Sequence, residues 1–493
     1  MAIIVETAQG LLEGFAKDGV LRFNGIPYAK PPVGALRWRV AVTPEPWTGI
    51  RDASRFGPIA PQLRSAAEAL IGGTPGEQSE DCLYLNVWTP GTDGKRPVMV
   101  WIHGGAFVTG AGTIGTYNGK HLAARGDVVV VTINYRLGAL GFLNLRDVTD
   151  GQHPACGVEG LMDQIAALRW VRENIAAFGG DPGKVTLFGE SAGAMSIGAL
   201  LAMPAARGLF QKAILQSGAA HIGKRRESSA KVARLMLDKL GLRDGSRLAD
   251  VPLAAIIRAQ ADILNSRRNG GGLPFAPTID GVLLPVRAIE NVRAGSANGV
   301  AVLSGTTMEE WKLFTAARPK LRLMKAATLL KYAANLVGKD HADALLATYG
   351  EGSNFERWNA IMTDRSFAVP SSRLLEAQAA HAPVFSYRFD WRSPLLGGVL
   401  GSCHALEIGF VFGTYNEKRA GLFFGSGTRA DALSQAMMQS WIAFAHGKEP
   451  WPRYDAAMRA TMIFGDGDLH VTNAPDDTRR AAWDMIPESR IGP

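Results

Sequence analysis

An α/β fold is predicted for the 493-residue chain: a mostly parallel central sheet with helices on both faces and a helical insertion. Three features predict it. Short β-branched and apolar runs read as buried strands: Val98–Ile102, Val128–Ile133, Val185–Phe188, Ala213–Leu215, Val300–Leu303 and Val384–Tyr387. Between the second and third of these, Ile165, Leu168, Val171, Ile175 and Phe178 recur at spacings of three and four, so they share one face of a helix. Lys184-Val185-Thr186-Leu187-Phe188 then runs into Gly189-Glu190-Ser191-Ala192-Gly193 and a small-residue stretch to Leu201, which reads as strand, tight turn and helix. Strands alternating with helices imply a parallel sheet that needs cover on both faces.

Along the chain, Gly179-Gly180-Asp181-Pro182 is expected to stop the long helix before the third strand. From about Glu309 to His381 the pattern is helix-rich with few strand signals, an insertion within one domain spanning 1–493. No Pro/Gly/Ser linker divides the chain. Hydrophobic content of 47% and charged content of 20% are ordinary for a globular protein. No apolar run reaches the ~18 residues of a membrane span. The N-terminus has no basic region followed by an apolar core, so no secretory signal is expected and a cytoplasmic location is. The 3 cysteines, Cys82, Cys156 and Cys403, are widely spaced and odd in number, which argues against a disulfide framework. They show no metal-ligand spacing, and neither metal nor organic cofactor is expected. The net charge of +8 is scattered, with small clusters at Lys224-Arg225-Arg226 and Arg318-Pro319-Lys320-Leu321-Arg322. Neither cluster is interleaved with aromatics, so a solvated surface is expected and a nucleic-acid partner is not. Nothing in the sequence marks an oligomeric state, monomer or dimer.

The turn at Ser191 suggests nucleophilic chemistry. A serine at the apex of a strand-to-helix turn projects its hydroxyl from the sheet edge, and glycines flank it because a Cβ there would meet the neighbouring helix and strand. A hydroxyl is a weak nucleophile at neutral pH. It needs a base, a third group to orient that base, and N–H donors for the developing oxyanion. Strand Val98–Ile102 leads into His103-Gly104-Gly105-Ala106-Phe107, a small-residue loop that lets backbone N–H groups approach a substrate carbonyl. Past strand Val300–Leu303 lie Glu309 and Glu310, either of which can orient a histidine at the same sheet edge. Of 9 histidines, His103 belongs to the donor loop, and His121, His341, His381 and His446 sit in or beside helical patterns. His153, His221 and His470 lie in loops and stay open as bases beside His404, which follows strand Val384–Tyr387.

Nearly the whole chain resembles the type-B carboxylesterases, the branch of α/β-hydrolases that includes cholinesterases and bacterial para-nitrobenzyl esterases. The resemblance rests on Phe23-Asn24-Gly25-Ile26-Pro27-Tyr28-Ala29, Glu80-Asp81-Cys82-Leu83-Tyr84-Leu85-Asn86, Asn134-Tyr135-Arg136, Asp163-Gln164 and Phe178-Gly179-Gly180-Asp181-Pro182, together with the serine motif. It implies an α/β-hydrolase fold and a serine hydrolase that cleaves small-molecule carboxylic esters through an acyl-enzyme. It implies the triad Ser191, Glu310 and His404, and oxyanion donors at Gly105, Ala106 and Ala192. It further implies ion pairs Arg37–Glu80 and Arg136–Asp163, and buried polar support for the histidine from Glu190, Ser217 and Glu407. The same machinery would serve amide, carbamate, thioester or polyester bonds, and some relatives on this fold are non-catalytic binding proteins. Two departures stand out. No cysteine lies in Gly57–Gln62 to pair with Cys82, which fits a reducing compartment, and Trp311 replaces the glycine that commonly follows the acid, so the local turn is expected to differ.

Overall fold

The computed structural model describes residues 3–493 except 65–68, 71–72, 74–75, 246, 267–271, 351 and 418–419. Its centre is a 13-stranded sheet: β1 (Ile3–Thr7), β2 (Gly10–Lys17), β3 (Val20–Pro27), β4 (Ile50–Asp52), β5 (Tyr84–Thr89), β6 (Arg96–Ile102), β7 (Val129–Ile133), β8 (Gly180–Glu190), β9 (Lys212–Gln216), β10 (Ala301–Thr307), β11 (Val384–Phe389), β12 (Ala460–Phe464) and β13 (His470–Asn473). The spatial order is β1-β2-β3-β5-β7-β6-β8-β9-β10-β11-β12-β13, with β4 beside β2. All pairings from β7 through β12 are parallel. The flanks are antiparallel: β1, β2, β3 and β5 on one side, β13 on the other.

Each apolar run read from the sequence falls on a strand of the parallel block, with Val128 and Val300 lying one residue before β7 and β10. The residues of β7 are buried throughout, as strands covered on both faces require. The antiparallel strands escape the sequence reading because their faces differ: β2 alternates half-buried and buried residues and β13 is largely exposed, so neither forms a continuous apolar run.

Helices cover both faces. Glu159–Asn174 lies on one of them, and Ile165, Leu168, Val171, Ile175 and Phe178 are all fully buried. The last turn tightens to a 3-10 helix and ends at Gly179 with φ 74°, a left-handed stop that favours glycine. The following Gly180-Asp181-Pro182 already belongs to β8, so helix stop and strand start share these residues. Between β10 and β11 the chain is helical, with helices at Ala326–Val337, Lys339–Ala347, Asn354–Thr363 and Val369–Ala379. The last two are joined by a π-turn at Asp364–Ala368. Among the described residues, no helix is long and apolar enough to cross a membrane.

Parallel pairing has one consequence for function. β6, β8, β9, β10 and β11 all end at the same sheet edge, so the segments that follow them converge there. These segments begin at His103, Ser191, Ser217, Met308 and Asp390.

Candidate active site

Ser191 sits between β8 and helix Ala192–Ala202 with φ 55° and ψ −123°, a conformation that non-glycine residues adopt only under constraint. The constraint is visible. Its N–H donates to the Gln216 carbonyl at 2.9 Å, and its own carbonyl accepts from Met195 N–H at 2.8 Å. The flanking glycines admit the close approach of β6: a Cβ on Gly193 would lie 1.9 Å from the Ile102 carbonyl oxygen, and one on Gly189 would lie 2.7 Å from it. Ser191 is half-buried at the head of a helix whose every other residue is buried, which leaves the serine as the accessible group of that turn.

The loop after β6 presses on the same turn. A Cβ on Gly104 would come 3.1 Å from Ser191 Cβ, so only glycine lets the loop lie against the serine. Gly105, Ala106 and Phe107 all have positive φ, 109°, 53° and 63°. That run turns backbone N–H groups away from the regular pattern. Among the described residues, the N–H groups of Gly105, Ala106 and Ala192 have no hydrogen-bond acceptor. The strained loop is held from behind: Gly138 N–H donates to the Phe107 carbonyl at 2.7 Å, and Tyr135 Oη donates to the His103 carbonyl at 2.8 Å. The Tyr135 segment is in turn fixed by Arg136, whose guanidinium makes bonds of 2.8 and 2.6 Å to Asp163, both side chains being almost fully buried. Arg37 pairs with Glu80 through Nε at 2.6 Å.

Glu310 and His404 meet at this edge. His404 Nδ1–H donates to Glu310 Oε2 at 2.5 Å, and Glu310 Oε1 accepts from the Thr307 N–H at 2.8 Å. Glu310 is fully buried and His404 is 5% exposed. The other face of the imidazole belongs to Glu190, whose Oε1 lies 3.1 Å from Nε2. Among the described residues Ser191 Oγ makes no hydrogen bond to His404, and Nε2 lies against the carboxylate of the neighbouring Glu190 instead. Catalytic bonds of this kind tighten when substrate enters. Burial opposes charge on His404, but Glu190 and then Glu310 outweigh it and lift its pKa above the ordinary imidazole value. Burial also opposes charge on Glu190, and for a carboxyl group that raises the pKa.

The remaining support is layered. Ser217 Oγ donates to Glu407 Oε1 at 3.5 Å, and Gln216 Nε2 donates to the same oxygen at 3.3 Å. Trp441 Nε1–H closes the chain on Gln216 Oε1 at 3.1 Å. Glu407 thus accepts from Ser217 and Gln216 rather than bonding to the imidazole; it acts on His404 only through its charge, and its own pKa is pushed up by burial to about 7. Gln216 is absent from the sequence reading because nothing in its position on an apolar strand announces a polar partner.

Glu309 is the second residue that sequence reasoning underrates. It reads as the spare carboxylate of the pair, yet its Oε2 accepts the Ser402 N–H at 2.9 Å and its own N–H donates to the Ser402 carbonyl at 2.8 Å. A Cβ on Gly401 would sit 2.0 Å from that same oxygen. Glu309 therefore clamps the loop two residues before His404. Trp311 enters its turn in ordinary right-handed geometry, φ −72° and ψ −13°, so the position places no demand for glycine. Its ring joins Phe314 and Phe367, and the latter two pack on His404 with centroid separations of 5.1 and 4.8 Å.

The other histidines go elsewhere. His153 packs on Trp38, His221 pairs with Glu488, and His470 bonds the Asp468 carbonyl. His103 is buried and its pKa falls to about 4, so it stays neutral with Nδ1–H donated to the Gly104 carbonyl. Cys82, Cys156 and Cys403 are all free and buried. Among the described residues no group of three or more His, Cys, Asp or Glu side chains is arranged to hold a metal ion.

Known proteins share this design. The carboxylesterase family pattern matches residues 1–461. The chain is 40% identical over 487 residues to a para-nitrobenzyl esterase of Bacillus subtilis (strain 168), covering 97% of each chain. It is 37% identical over 489 residues to a phenmedipham hydrolase of Pseudarthrobacter oxydans, covering 95% of this chain and 96% of that one. Among solved structures, a carboxylesterase of Geobacillus stearothermophilus superimposes with a TM-score of 0.88 at 40% identity, over 97% of this chain and 99% of that one. A PNB esterase structure gives 0.86 at 40% identity over the same shares. With the serine turn, the glycine-lined loop and the buried histidine at one edge of an α/β-hydrolase sheet, the protein belongs to the carboxylesterase family and is a serine hydrolase of carboxylic esters.

Proposed function

We propose that Ser191, His404 and Glu310 form the catalytic triad and that Gly105, Ala106 and Ala192 supply the oxyanion hole. His404 Nε2 takes the Ser191 proton as Oγ attacks the ester carbonyl. Glu310, bonded to Nδ1–H, fixes the tautomer that leaves Nε2 free to accept and stabilises the imidazolium that forms. The negative charge on the tetrahedral oxygen goes to the three N–H groups, a set of preorganised dipoles that needs no rearrangement as charge develops. His404 then returns its proton to the leaving alcohol, which departs from the acyl-enzyme. Water, activated by the same imidazole, releases the acid and restores Ser191. The observation that carries this reading is the Glu310–His404 hydrogen bond, fully buried and beside the strained serine turn. Glu190, Ser217 and Glu407 act as positioning and electrostatic support. A small-molecule ester is the substrate.

The location we infer is a reducing one, the cytoplasm, because Cys82, Cys156 and Cys403 are all buried as free thiols. The test of the triad is Ser191→Ala with a short-chain 4-nitrophenyl ester. Turnover should fall by about 10⁶, and labelling by an organophosphate probe should vanish with it. Wild-type turnover in that variant overturns the assignment.

A further inference from the structure

The loop after β9 encloses a second feature. With Leu273, Ile289 and Arg365 it bounds a cavity of about 190 Å³ that the catalytic residues do not line. The charged side chains lining it are cationic: Lys224, Arg287 and Arg365, joined by His221. No aspartate or glutamate is among its described lining residues. The His221 side chain is 2% exposed; its Nε2 is held 2.7 Å from Glu488 Oε2, and its Nδ1 has no partner among the described residues. Lys224 spends one donor on the Pro274 carbonyl at 2.8 Å, and Arg365 spends one on the Arg490 carbonyl at 2.9 Å, so both keep N–H groups to offer. Burial pulls the Lys224 ammonium down to about 8 and lowers Arg365 as well, the response of cations held away from water.

The cavity is tied to the catalytic centre on two sides. Gly218 packs so tightly on the serine turn that a Cβ there would lie 2.6 Å from the Ser191 carbonyl oxygen. His221 follows three residues later, within about 11 Å of chain. On the other wall, Arg365 precedes by two residues the Phe367 ring that packs on His404. Arg287 has Glu290 at 4.0 Å, but among the described residues no carboxylate pairs with Lys224 or Arg365, and half-buried positive charge without a counterion is costly until an anion completes it. Guanidinium and ammonium groups with spare donors and an apolar wall suit a carboxylate on a short hydrocarbon chain.

We propose that this cavity is an anion subsite beside the catalytic serine, and that it receives a carboxylate carried by the ester substrate. The proposal rests on the ester-hydrolase reading and adds a substrate class to it: half-esters of dicarboxylic acids and similar anionic esters.

The test compares mono-4-nitrophenyl glutarate with 4-nitrophenyl pentanoate, esters of equal acyl length that differ in the terminal charge. Lys224→Gln and Arg365→Gln should each lower kcat/KM for the glutarate about tenfold or more while leaving the pentanoate unchanged, because a charge-assisted hydrogen bond is lost on one substrate only. Lys224→Arg should keep the preference. Free glutarate should inhibit pentanoate hydrolysis competitively in the wild type and about tenfold more weakly in Lys224→Gln. Equal losses on both esters, or no change on either, overturn the proposal. So does inhibition by free glutarate without selective loss of the anionic ester, which would make the site one for free anions alone. Retained pentanoate hydrolysis shows that the triad reading stands whichever way the anion arm falls.

Discussion

Replacing Glu190 by glutamine should move the acid limb of the pH–rate profile to lower pH. The sign follows from the imidazole's task. In the proposed triad His404 must be neutral to accept the Ser191 proton, so the rate should rise with pH through the pKa of His404 in the folded enzyme. That pKa is raised, with burial opposing and Glu190 the largest of the raising influences. Removing the Glu190 charge therefore lowers it. Two unit charges 3.1 Å apart in an effective dielectric of about 20 interact by about 5 kcal/mol, a ceiling near four pH units. Glu190 carries its charge for only part of the time, since burial raises its own pKa, and the expected displacement is roughly one to two units. The isosteric amide keeps the volume of the site, and its side chain still borders Nε2. The assay is kcat/KM for a neutral 4-nitrophenyl ester across the acid range in wild type and variant. An acid limb that stays in place, or moves upward, refutes the electrostatic account of this cluster.

Other perturbations probe the scaffold. Gly193→Ala should yield little active protein, because the new methyl would lie 1.9 Å from the Ile102 carbonyl oxygen; residual activity and thermal melting measure it. Arg136→Met strands the fully buried Asp163 without its partner and should destabilise the fold by about 3–5 kcal/mol, read from denaturant midpoints. Glu309→Ala should reduce kcat roughly tenfold with KM little changed, since it frees the loop that carries His404 while leaving the substrate surface intact. Glu309→Gln, which keeps one acceptor for the Ser402 N–H, should restore most of that loss.

Which parts of this molecule could be read from the sequence follows a physical division. The strands of the parallel block are buried on both faces and therefore write themselves as uninterrupted apolar runs, as at Val129–Ile133. At the antiparallel margins, strands such as Gly10–Lys17 are only partly buried and His470–Asn473 is largely exposed, so these carry no such signature. The serine turn is legible because steric demand there admits a single residue type: glycine at 189 and 193 is a backbone requirement that survives in one dimension. Glu309 and Gln216 were not legible, because a carboxylate that accepts one N–H from a loop 93 residues away leaves no local trace. Two adjacent glutamates separate into an orienting group and a clamp only when the loop carrying His404 is folded back on both.

That folding back explains why the site needs so many fixed backbone groups. Each side chain of the proposed triad stands on a separate segment, after β8, β10 and β11, and nothing in the sequence joins them covalently at short range. Proton transfer tolerates little displacement, so each segment is pinned independently. Ser191 is held by the Gln216 carbonyl, Glu310 by the Thr307 N–H, and the His404 loop by Glu309 through Ser402. The positive φ values at Gly105, Ala106, Phe107, Ser191 and Ser217 all fall on segments that reach this edge. Strained residues persist only where surrounding contacts over-determine them, and here the contacts are those of a rigid parallel sheet. At this edge the strain falls on the segments that leave the strands, and the stiffness of the sheet beneath them is what keeps a 2.5 Å bond between residues 94 apart in the chain.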